Sequence, residues 1–569
     1  MRIPAAALAL GLVLLAPTPA LACGGFFCMS QPMDQSGERI MFVQDGGDVT
    51  AHVLINYQGD AKQFSWVVPT PTEPKLGVGS EALFRTVDAG TRPSFQLKIK
   101  DLGDCYWQPR RYEAEDRAAA PSAAESNVQV VSREQVGPYD TAVIRSDDPD
   151  ALRRWLRANG YVLPAKLDPL LDPYVAGKYY FVALKLQQDR AAGDLQPITM
   201  RYRASKPGIP IRLTGVAATP NMDVYVWVLG DDRAIPENYR HAEINEARVD
   251  WLSGGANYKA VVTRAADEAG GQAFVTDFAG DAKAVDLSVF DDAKQDLKAL
   301  ATLRDPIAFL RAIQEDGYFQ RGSPQALAFV RRYVPIPKSM KDVWEPGFYS
   351  NPEQYRQQLR REGVTVNAAK AAKELEEIVV KPNREILAQF GRHHYLTRLY
   401  TTMSPEEMTQ DPTFRFNPYL PKVDNVHVAD GERDCRNHKD GETAPIRVTL
   451  KDGTRFTIYP EKGRTPYGIE EGLVPVPLAS VTRDREMPFA RKIEQLNPMG
   501  PGSIIQDNSA AIATALDPTL KEATRPAEGM GCSNRSSIPG TNPTHGMGEP
   551  VTYALIALGA WGFKRRRRP

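Results

Sequence analysis

The chain has 569 residues, which is enough for about three or four domains. Its hydrophobic fraction of 42% and charged fraction of 25% are those of an ordinary folded protein. The 70 basic and 70 acidic residues cancel, and the chain between its basic ends is mildly acidic, so the charge gives no reason to expect binding to nucleic acid or to an anionic membrane surface.

The first 22 residues, 1–22, have the pattern of a secretory signal peptide. Their apolar run, 5–16, has the length of a signal-peptide core and is too short to span a bilayer as a helix. Ala20 and Ala22 are the small residues that signal peptidase requires, so we predict cleavage after Ala22 and a mature chain that begins at Cys23. A lipid-modified Cys23, as in a bacterial lipoprotein, is the alternative.

The cysteines fit an exported protein. Of the five, Cys532 lies in a separate tail, and the body keeps Cys23, Cys28, Cys105 and Cys435. Four cysteines can pair completely in three ways in an oxidising compartment. We favour Cys23 with Cys28, because the two glycines between them allow a tight loop, and Cys105 with Cys435.

Residues 23–285 predict a β-rich domain with sandwich-like sheets. Apolar residues alternate in 49–57, and the turn Asp45-Gly46-Gly47-Asp48 connects this run to 39–44, which predicts a hairpin with one buried face. Further closely spaced runs have strand composition: 64–68, 95–99, 179–186, 198–203, 209–213 and 222–229.

A helical insertion interrupts this β-structure at 148–160. Asp148 is the expected N-cap, Pro149 takes the first helical position, and Asn159-Gly160 ends the helix. The charged, Ala- and Ser-rich interval 110–127 is interpreted as a mobile loop.

The helical period dominates residues 286–420, which predict an α-helical region with a helix start at Ser323-Pro324. Within it, 395–403 has apolar and aromatic positions that suit a buried helix. A small β region, 421–493, follows, in which Lys451-Asp452-Gly453-Thr454 predicts a hairpin. The Pro-, Gly- and Ser-rich segment 494–550 is interpreted as an extended linker.

The C-terminal tail has an apolar run, 551–563, followed by a basic end, 564–569. At about 1.5 Å per residue this run reaches only about 20 Å, against roughly 30 Å of hydrocarbon, so it is a poor permanent anchor. With Cys532 upstream, the tail suggests a signal that is cut and replaced by a firmer attachment. A short transmembrane helix that stays in place is the alternative.

Three motifs carry a family resemblance: Ala22-Cys23-Gly24-Gly25-Phe26-Phe27-Cys28, Phe64-Ser65-Trp66-Val67-Val68-Pro69-Thr70-Pro71 and Asp223-Val224-Tyr225-Val226-Trp227-Val228. On these motifs the body resembles the bacterial family called domain of unknown function 2330 (DUF2330). The resemblance implies export and a shared fold, and it implies no catalytic residues. The tail is similar to the Cys-containing C-terminal sorting signals of myxobacteria, which implies processing at Cys532 and delivery to the cell surface.

Candidate site residues are few. Cys435 and His438 have ligand-like spacing, with His427 upstream, but one such pair is weak evidence for zinc, and a disulfide is the preferred role of an exported Cys. The chain has no G-x-S-x-G, H-E-x-x-H, P-loop or calcium-loop motif. We therefore predict no catalytic, metal or cofactor-binding residue.

The sequence as a whole predicts an exported α+β protein of the bacterial cell envelope, anchored at the surface and serving as a binding or structural component. Its expected partners are signal peptidase, a tail-processing peptidase and the membrane at the C-terminal segment, with no nucleic acid; the ligand stays open. The alternative is a secreted hydrolase with a dispersed site near His393, His427 and His438, which should then converge in a cleft with carboxylates.

Overall fold

The computed structural model describes residues 35–54, 65–105, 132–161, 168–187, 190, 194–216, 218–320, 322–436, 444–460, 479–481 and 487–517. These residues form a mixed α+β structure, as the sequence predicts. Several predictions fall outside the described residues: the signal peptide, Cys23, Cys28, the loop 110–127, His438, Cys532 and the tail 551–569. None of the described helices is both long and apolar enough to cross a bilayer.

Numbered in chain order, the strands are β1 (Gln35–Asp45), β2 (Asp48–Leu54), β3 (Ser65–Thr70), β4 (Lys75–Val78), β5 (Ser94–Leu102), β6 (Ser132–Val136), β7 (Tyr139–Arg145), β8 (Tyr180–Leu186), β9 (Ile198–Arg203), β10 (Ala218–Gly230), β11 (Arg233–Pro236), β12 (Arg240–Ile244), β13 (Ala273–Asp281), β14 (Tyr395–Met403), β15 (Phe414–Asn417), β16 (Val426–Asp434), β17 (Ile446–Thr449), β18 (Arg455–Pro460), β19 (Ala479–Val481), β20 (Ala490–Gln495) and β21 (Ser503–Asp507).

The α-helices are α1 (Ala82–Thr91), α2 (Pro149–Ala158), α3 (Asp168–Ala176), α4 (Ile211–Thr214), α5 (Tyr258–Glu268), α6 (Leu297–Thr302), α7 (Pro306–Glu315), α8 (Pro324–Tyr333), α9 (Glu345–Ser350), α10 (Arg356–Arg361), α11 (Ala368–Leu375), α12 (Lys381–Arg392) and α13 (Ser509–Leu516). A π-helical turn, Glu376–Val380, lies between α11 and α12.

Within the described ranges the strands form four sheets. The largest has ten strands in the order β21-β20-β12-β13-β14-β10-β1-β2-β9-β4, and the others are β19-β18-β17-β16-β5, β3-β8-β7-β6 and β11-β15. In the ten-stranded sheet, β1 runs parallel to β10 and antiparallel to β2. This sheet therefore joins the first described strand to the last.

The inner strands of the ten-stranded sheet, among them β1, β13 and β14, are buried on both faces. On one face Ile40 and Val226 share a core with Leu184 of the four-stranded sheet, which gives the predicted sandwich. On the other face Met41 packs with Leu83 of α1 in a second core. Strand β1 has a continuous run of large hydrophobic residues because both of its faces are buried.

The hairpin β1–β2 forms as predicted, but the expectation of a single buried face is wrong. His52 of β2 is 1% exposed on the second face, and its Nε2 lies 2.9 Å from Oε1 of Gln389 in α12. A polar side chain on this face is tolerated because the helix supplies its hydrogen-bond partner.

Three other expectations are wrong. The segment 395–403 is strand β14 and not a helix, because its Thr, Tyr and Leu residues are buried on both sides and show no alternation. The segment 209–213 is not a strand, since Pro210 leads into the short helix α4. Part of the predicted linker, 494–517, carries β21 and α13; β21 is exposed throughout, so it leaves no apolar pattern in the sequence.

The helical predictions with capping signals are confirmed. In α2 the backbone N–H of Asp150 donates to Oδ1 of Asp148 at 2.9 Å, and Gly160 beyond the helix has φ +70°. Ser323 caps α8 in the same way, with Pro324 at its first position. The hairpin β17–β18 is also confirmed.

A disulfide joins Cys105 and Cys435, whose Cα atoms are 5.5 Å apart and which are separated by 330 residues in sequence. The two cysteines follow the ends of the parallel strands β5 and β16. This is the second of the two pairs that the sequence analysis favours.

Glu38 of β1 makes stability depend on pH. It is 7% exposed, and its Oε2 accepts a 3.4 Å hydrogen bond from Thr214. Burial raises its pKa to about 7 from the usual 4.5. Because the folded state holds this proton more tightly than the unfolded state does, the stability that the protonated carboxyl contributes is lost as the pH rises from 4.5 through 7.

We therefore predict that Glu38→Gln raises the free energy of unfolding at pH 8, by up to about 3 kcal/mol, and changes it little at pH 4. Urea unfolding at the two pH values measures the difference, with Glu73→Gln, which changes an exposed carboxylate, as the control. An equal effect of Glu38→Gln at both pH values would contradict the raised pKa assigned to Glu38.

Candidate functional site

A cleft of about 910 Å³ lies between the ten-stranded and the five-stranded sheets. Strands β12 and β13 line one side, while β16 and the turn between β17 and β18 line the other, and α13 contributes a further part of the wall. This volume suits a small-molecule ligand.

A β-bulge in β13 shapes the wall of the cleft. Opposite β14, Thr276 pairs with Leu399 and Phe278 pairs with Arg398, so Asp277 is an extra residue in the ladder. A bulge redirects side chains that would otherwise alternate between the two faces of a sheet. Thr276 and Asp277 consequently both line the cleft, although they are neighbours in the chain.

Asp277 is the most deeply buried carboxylate of the cleft, at 2% exposure. Its Oδ1 accepts a hydrogen bond from the Tyr258 hydroxyl at the start of α5, and its Oδ2 lies 3.0 Å from Nε of Arg398. Burial raises the pKa of Asp277 to about 6, while Arg398 and Tyr258 oppose the rise. Burial and the charge of Asp277 raise the pKa of Tyr258 well above its ordinary value, so this phenol keeps its proton and donates it.

Arg398 links Asp277 to helix α1. Its Nη1 lies 2.9 Å from Oδ1 of Asp88 in α1. Its guanidinium carbon also lies 5.2 Å and 5.3 Å from the ring centroids of Tyr225 and Trp227. One cation thus stands between two carboxylates and two aromatic rings, where desolvation is compensated by charge and by π contacts.

His427 of β16 supplies a base on the second side of the cleft. Its Nδ1 lies 2.8 Å from Oε1 of Glu246, and its ring stacks on Phe95 at 4.6 Å. When the imidazole is neutral and its Nδ1–H donates a hydrogen bond to Glu246, its Nε2 carries the lone pair. His427 can therefore accept a hydrogen bond or a proton from a ligand.

A second polar group lies farther along β12 and β13. His241 Nε2 is 3.0 Å from Oγ1 of Thr276, and Arg233 Nη2 donates to the same oxygen at 3.2 Å. Glu494 of β20 stands opposite His241 in the sheet. All four side chains line the cleft.

Carboxylates are the commonest charged groups around the cleft. They are Glu243, Glu246, Asp277, Asp424, Asp452, Glu494 and Asp517, against the cationic Arg233, Lys422, Lys451, Arg455 and Arg491. The wall is therefore richer in hydrogen-bond acceptors than in cationic donors.

Of the histidines named in the sequence analysis, His393 and His427 do not converge, and His438 lies outside the described residues. His427 lines the cleft, whereas His393 is not among the lining residues; its Nδ1 lies 3.1 Å from Asp231 and its Nε2 3.2 Å from Asp45. Cys435 is in its disulfide. Within the described ranges, no group of three or more His, Cys, Asp or Glu side chains could hold a metal ion.

The sequence analysis missed Tyr258, Asp277 and Arg398. Two signals were available, because Asp277 lies among apolar residues of one strand and Arg398 among those of another. A charged residue inside a buried strand requires a partner of opposite charge. The sequence did not indicate that these two residues partner each other, since 120 positions separate them.

Comparison with known proteins places most of the chain in one family. Residues 17–415 match the family described as an uncharacterized protein conserved in bacteria, DUF2330. No curated protein and no solved structure was found to match. The matched segment contains Tyr258, Thr276 and Asp277, whereas His427 and Glu494 follow it.

Arg398→Met tests the buried pair. At pH 8 the substitution leaves the Asp277 carboxylate buried without its cation, so we expect the free energy of unfolding to fall by about 3–5 kcal/mol. At pH 5 the loss should be smaller, because a carboxyl with a pKa of about 6 is then mostly protonated. Chemical denaturation at both pH values measures the two losses.

Arg92→Met is the matched control, because Arg92 also pairs with Asp88 but its side chain is 67% exposed. We expect it to cost at most about 1 kcal/mol at either pH. Equal losses for Arg398→Met at pH 5 and pH 8 would contradict the assigned role of Asp277.

Proposed function

The chain belongs to the DUF2330 family of bacterial proteins, and we propose that it is an exported protein of the cell envelope that binds a small polar ligand in the cleft between its ten-stranded and five-stranded sheets. The observation that carries this proposal is the cleft itself, where Asp277, Tyr258, His427 and Glu246 line one cavity. Binding sites typically combine such a concave surface with a few convergent polar groups.

The lining indicates the kind of ligand. Glu246 and the Nε2 lone pair of His427 are acceptors, and carboxylates are the commonest charged groups around them. A ligand that carries hydroxyl or ammonium donors can satisfy these acceptors, whereas an anionic ligand meets unfavourable charge. We prefer binding to the dispersed hydrolase near His393, His427 and His438, because His393 is not among the lining residues.

Export is the second part of the proposal. The Cys105–Cys435 disulfide supports it, because structural disulfides persist in oxidising compartments and are rare in the cytosol. In this account signal peptidase cuts after Ala22. The apolar run 551–563 then holds the chain in the membrane until a second peptidase processes the tail at Cys532.

A ligand screen tests binding. We expect at least one class among simple sugars, amino alcohols and polyamines to raise the melting temperature of the protein; a ligand at 100 times its Kd adds about 2.7 kcal/mol. Glu246→Gln should reduce the shift, because it removes the acceptor that orients His427.

Glu362 is an exposed carboxylate that does not line the cleft, so Glu362→Gln should leave the shift in melting temperature unchanged. No shift with any of the three classes, or an equal shift in the Glu246→Gln protein, would count against binding in this cleft.

Mass spectrometry of the natural protein, isolated without reduction, tests export. We expect a chain that begins at Cys23, a linked peptide pair containing Cys105 and Cys435, and processing at Cys532. An intact cytosolic product with Met1 and free thiols would overturn this part, and acyl chains on Cys23 would exclude its pairing with Cys28.

A further inference from the structure

Three neighbouring strands bring a hydroxyl, an imidazole and a carboxylate together in the cleft: Thr276 on β13, His241 on β12 and Glu494 on β20. We propose that Thr276 is a nucleophile that accepts an acyl group from a small ester or amide bound in the cleft, with His241 as its general base and Glu494 as the residue that positions His241. This inference rests on the proposed ligand cleft and adds a chemical step to it.

The distances follow the order that such a relay requires. Oγ1 of Thr276 lies 3.0 Å from Nε2 of His241, and Nδ1 of His241 lies 3.5 Å from Oε2 of Glu494. His241 and Glu494 are direct cross-strand partners, so the sheet fixes their separation. A nucleophile within hydrogen-bond reach of a base, which a third group orients, is the arrangement that activates hydroxyl nucleophiles.

The environment keeps His241 ready to accept a proton. The side chain is buried, and burial lowers its pKa, so the neutral imidazole predominates near pH 7. With its proton on Nδ1 toward Glu494, the ring presents the Nε2 lone pair to the Thr276 hydroxyl. The charged groups that face His241 are Glu494, Glu243 and Arg233.

Arg233 adds a positive charge at the reacting oxygen. Its Nη2 donates to Oγ1 of Thr276 at 3.2 Å, while its Nη1 donates to the carbonyl of Pro421 at 2.9 Å and holds the guanidinium in place. A fixed cation beside the hydroxyl stabilises the negative charge that develops there when the proton leaves.

The burial of Thr276 limits the substrate. Thr276 is 8% exposed, so its oxygen is reached only from inside the cleft. The bulge at Asp277 allows Thr276 and Asp277 to line the same wall. A small acyl group can therefore meet Thr276 while the rest of the ligand occupies the cavity.

The proposed reaction is an acyl transfer followed by hydrolysis of the threonine ester. Oγ1 of Thr276 forms a bond to the carbonyl carbon, and its proton passes to Nε2 of His241. The bond from that carbon to the leaving oxygen or nitrogen breaks, and the leaving group takes the proton from His241. Water, deprotonated by His241, then attacks the threonine ester, releases the acid and restores the hydroxyl.

Labelling with a methyl alkyl fluorophosphonate tests the nucleophile in the full-length, disulfide-intact protein. Attack by Thr276 forms a bond from oxygen to phosphorus and expels fluoride, and peptide mass spectrometry locates the adduct. We expect one adduct, at Thr276, which is absent from Thr276→Val and retained in the control Thr302→Val, an exposed residue of α6. His241→Gln should slow labelling at least about 100-fold.

The pH dependence of the labelling rate tests the role of Glu494. In Glu494→Gln the imidazolium loses its carboxylate but keeps Arg233 nearby, so the pH at which the labelling rate is half-maximal should move to a lower value. Glu494→Asp keeps a carboxylate at this position, so it should move that pH part of the way back to the value of the unsubstituted protein. A purely structural role would change the melting temperature and leave this midpoint in place.

Modification of His427 by diethyl pyrocarbonate tests separately whether a reagent can enter the cleft. If His427 reacts and Thr276 takes no phosphonate, the nucleophile assignment is overturned and the ligand cleft stands. If neither residue reacts, the cleft is closed and both proposals fail. Labelling at Thr276 that is equally fast in His241→Gln would also overturn the inference.

Discussion

The buried ion pair of Arg398 and Asp277 is the interaction on which the cleft depends. Both side chains come from neighbouring strands of the ten-stranded sheet, and both are at most 4% exposed. Burying either charge alone would cost several kcal/mol. The bulge that places Asp277 in the wall of the cleft is therefore compatible with a stable sheet only because Arg398 and Tyr258 stand next to it.

The same constraint connects the two polar groups of the cleft. Asp277 and Thr276 are adjacent, so the bulge that directs one toward Tyr258 directs the other toward His241. Two further parts of the cleft come from later in the chain. Strand β16 of the facing wall carries His427, and β20, which lies next to β12 in the ten-stranded sheet, carries Glu494. The family match ends at residue 415, so the complete cleft combines the matched segment with elements that follow it.

Local signals in the sequence predicted local structure well. The caps of α2 and α8 and the hairpin β17–β18 were predicted because turn and capping residues act over a few positions. Strand β14 was mistaken for a helix because burial on both faces removes the alternation that marks a strand. The site could not be predicted, since Tyr258, Asp277 and Arg398 meet only through strand order and a register shift, and neither is written in a short motif.

A double-mutant cycle of Arg398→Met and Asp277→Asn at pH 8 measures directly whether the two buried charges stabilise each other. We predict that the double variant is more stable than Arg398→Met alone, with a coupling free energy of about 2 kcal/mol or more, because removing the carboxylate relieves the unpaired buried charge. Additive effects of the two substitutions would contradict it.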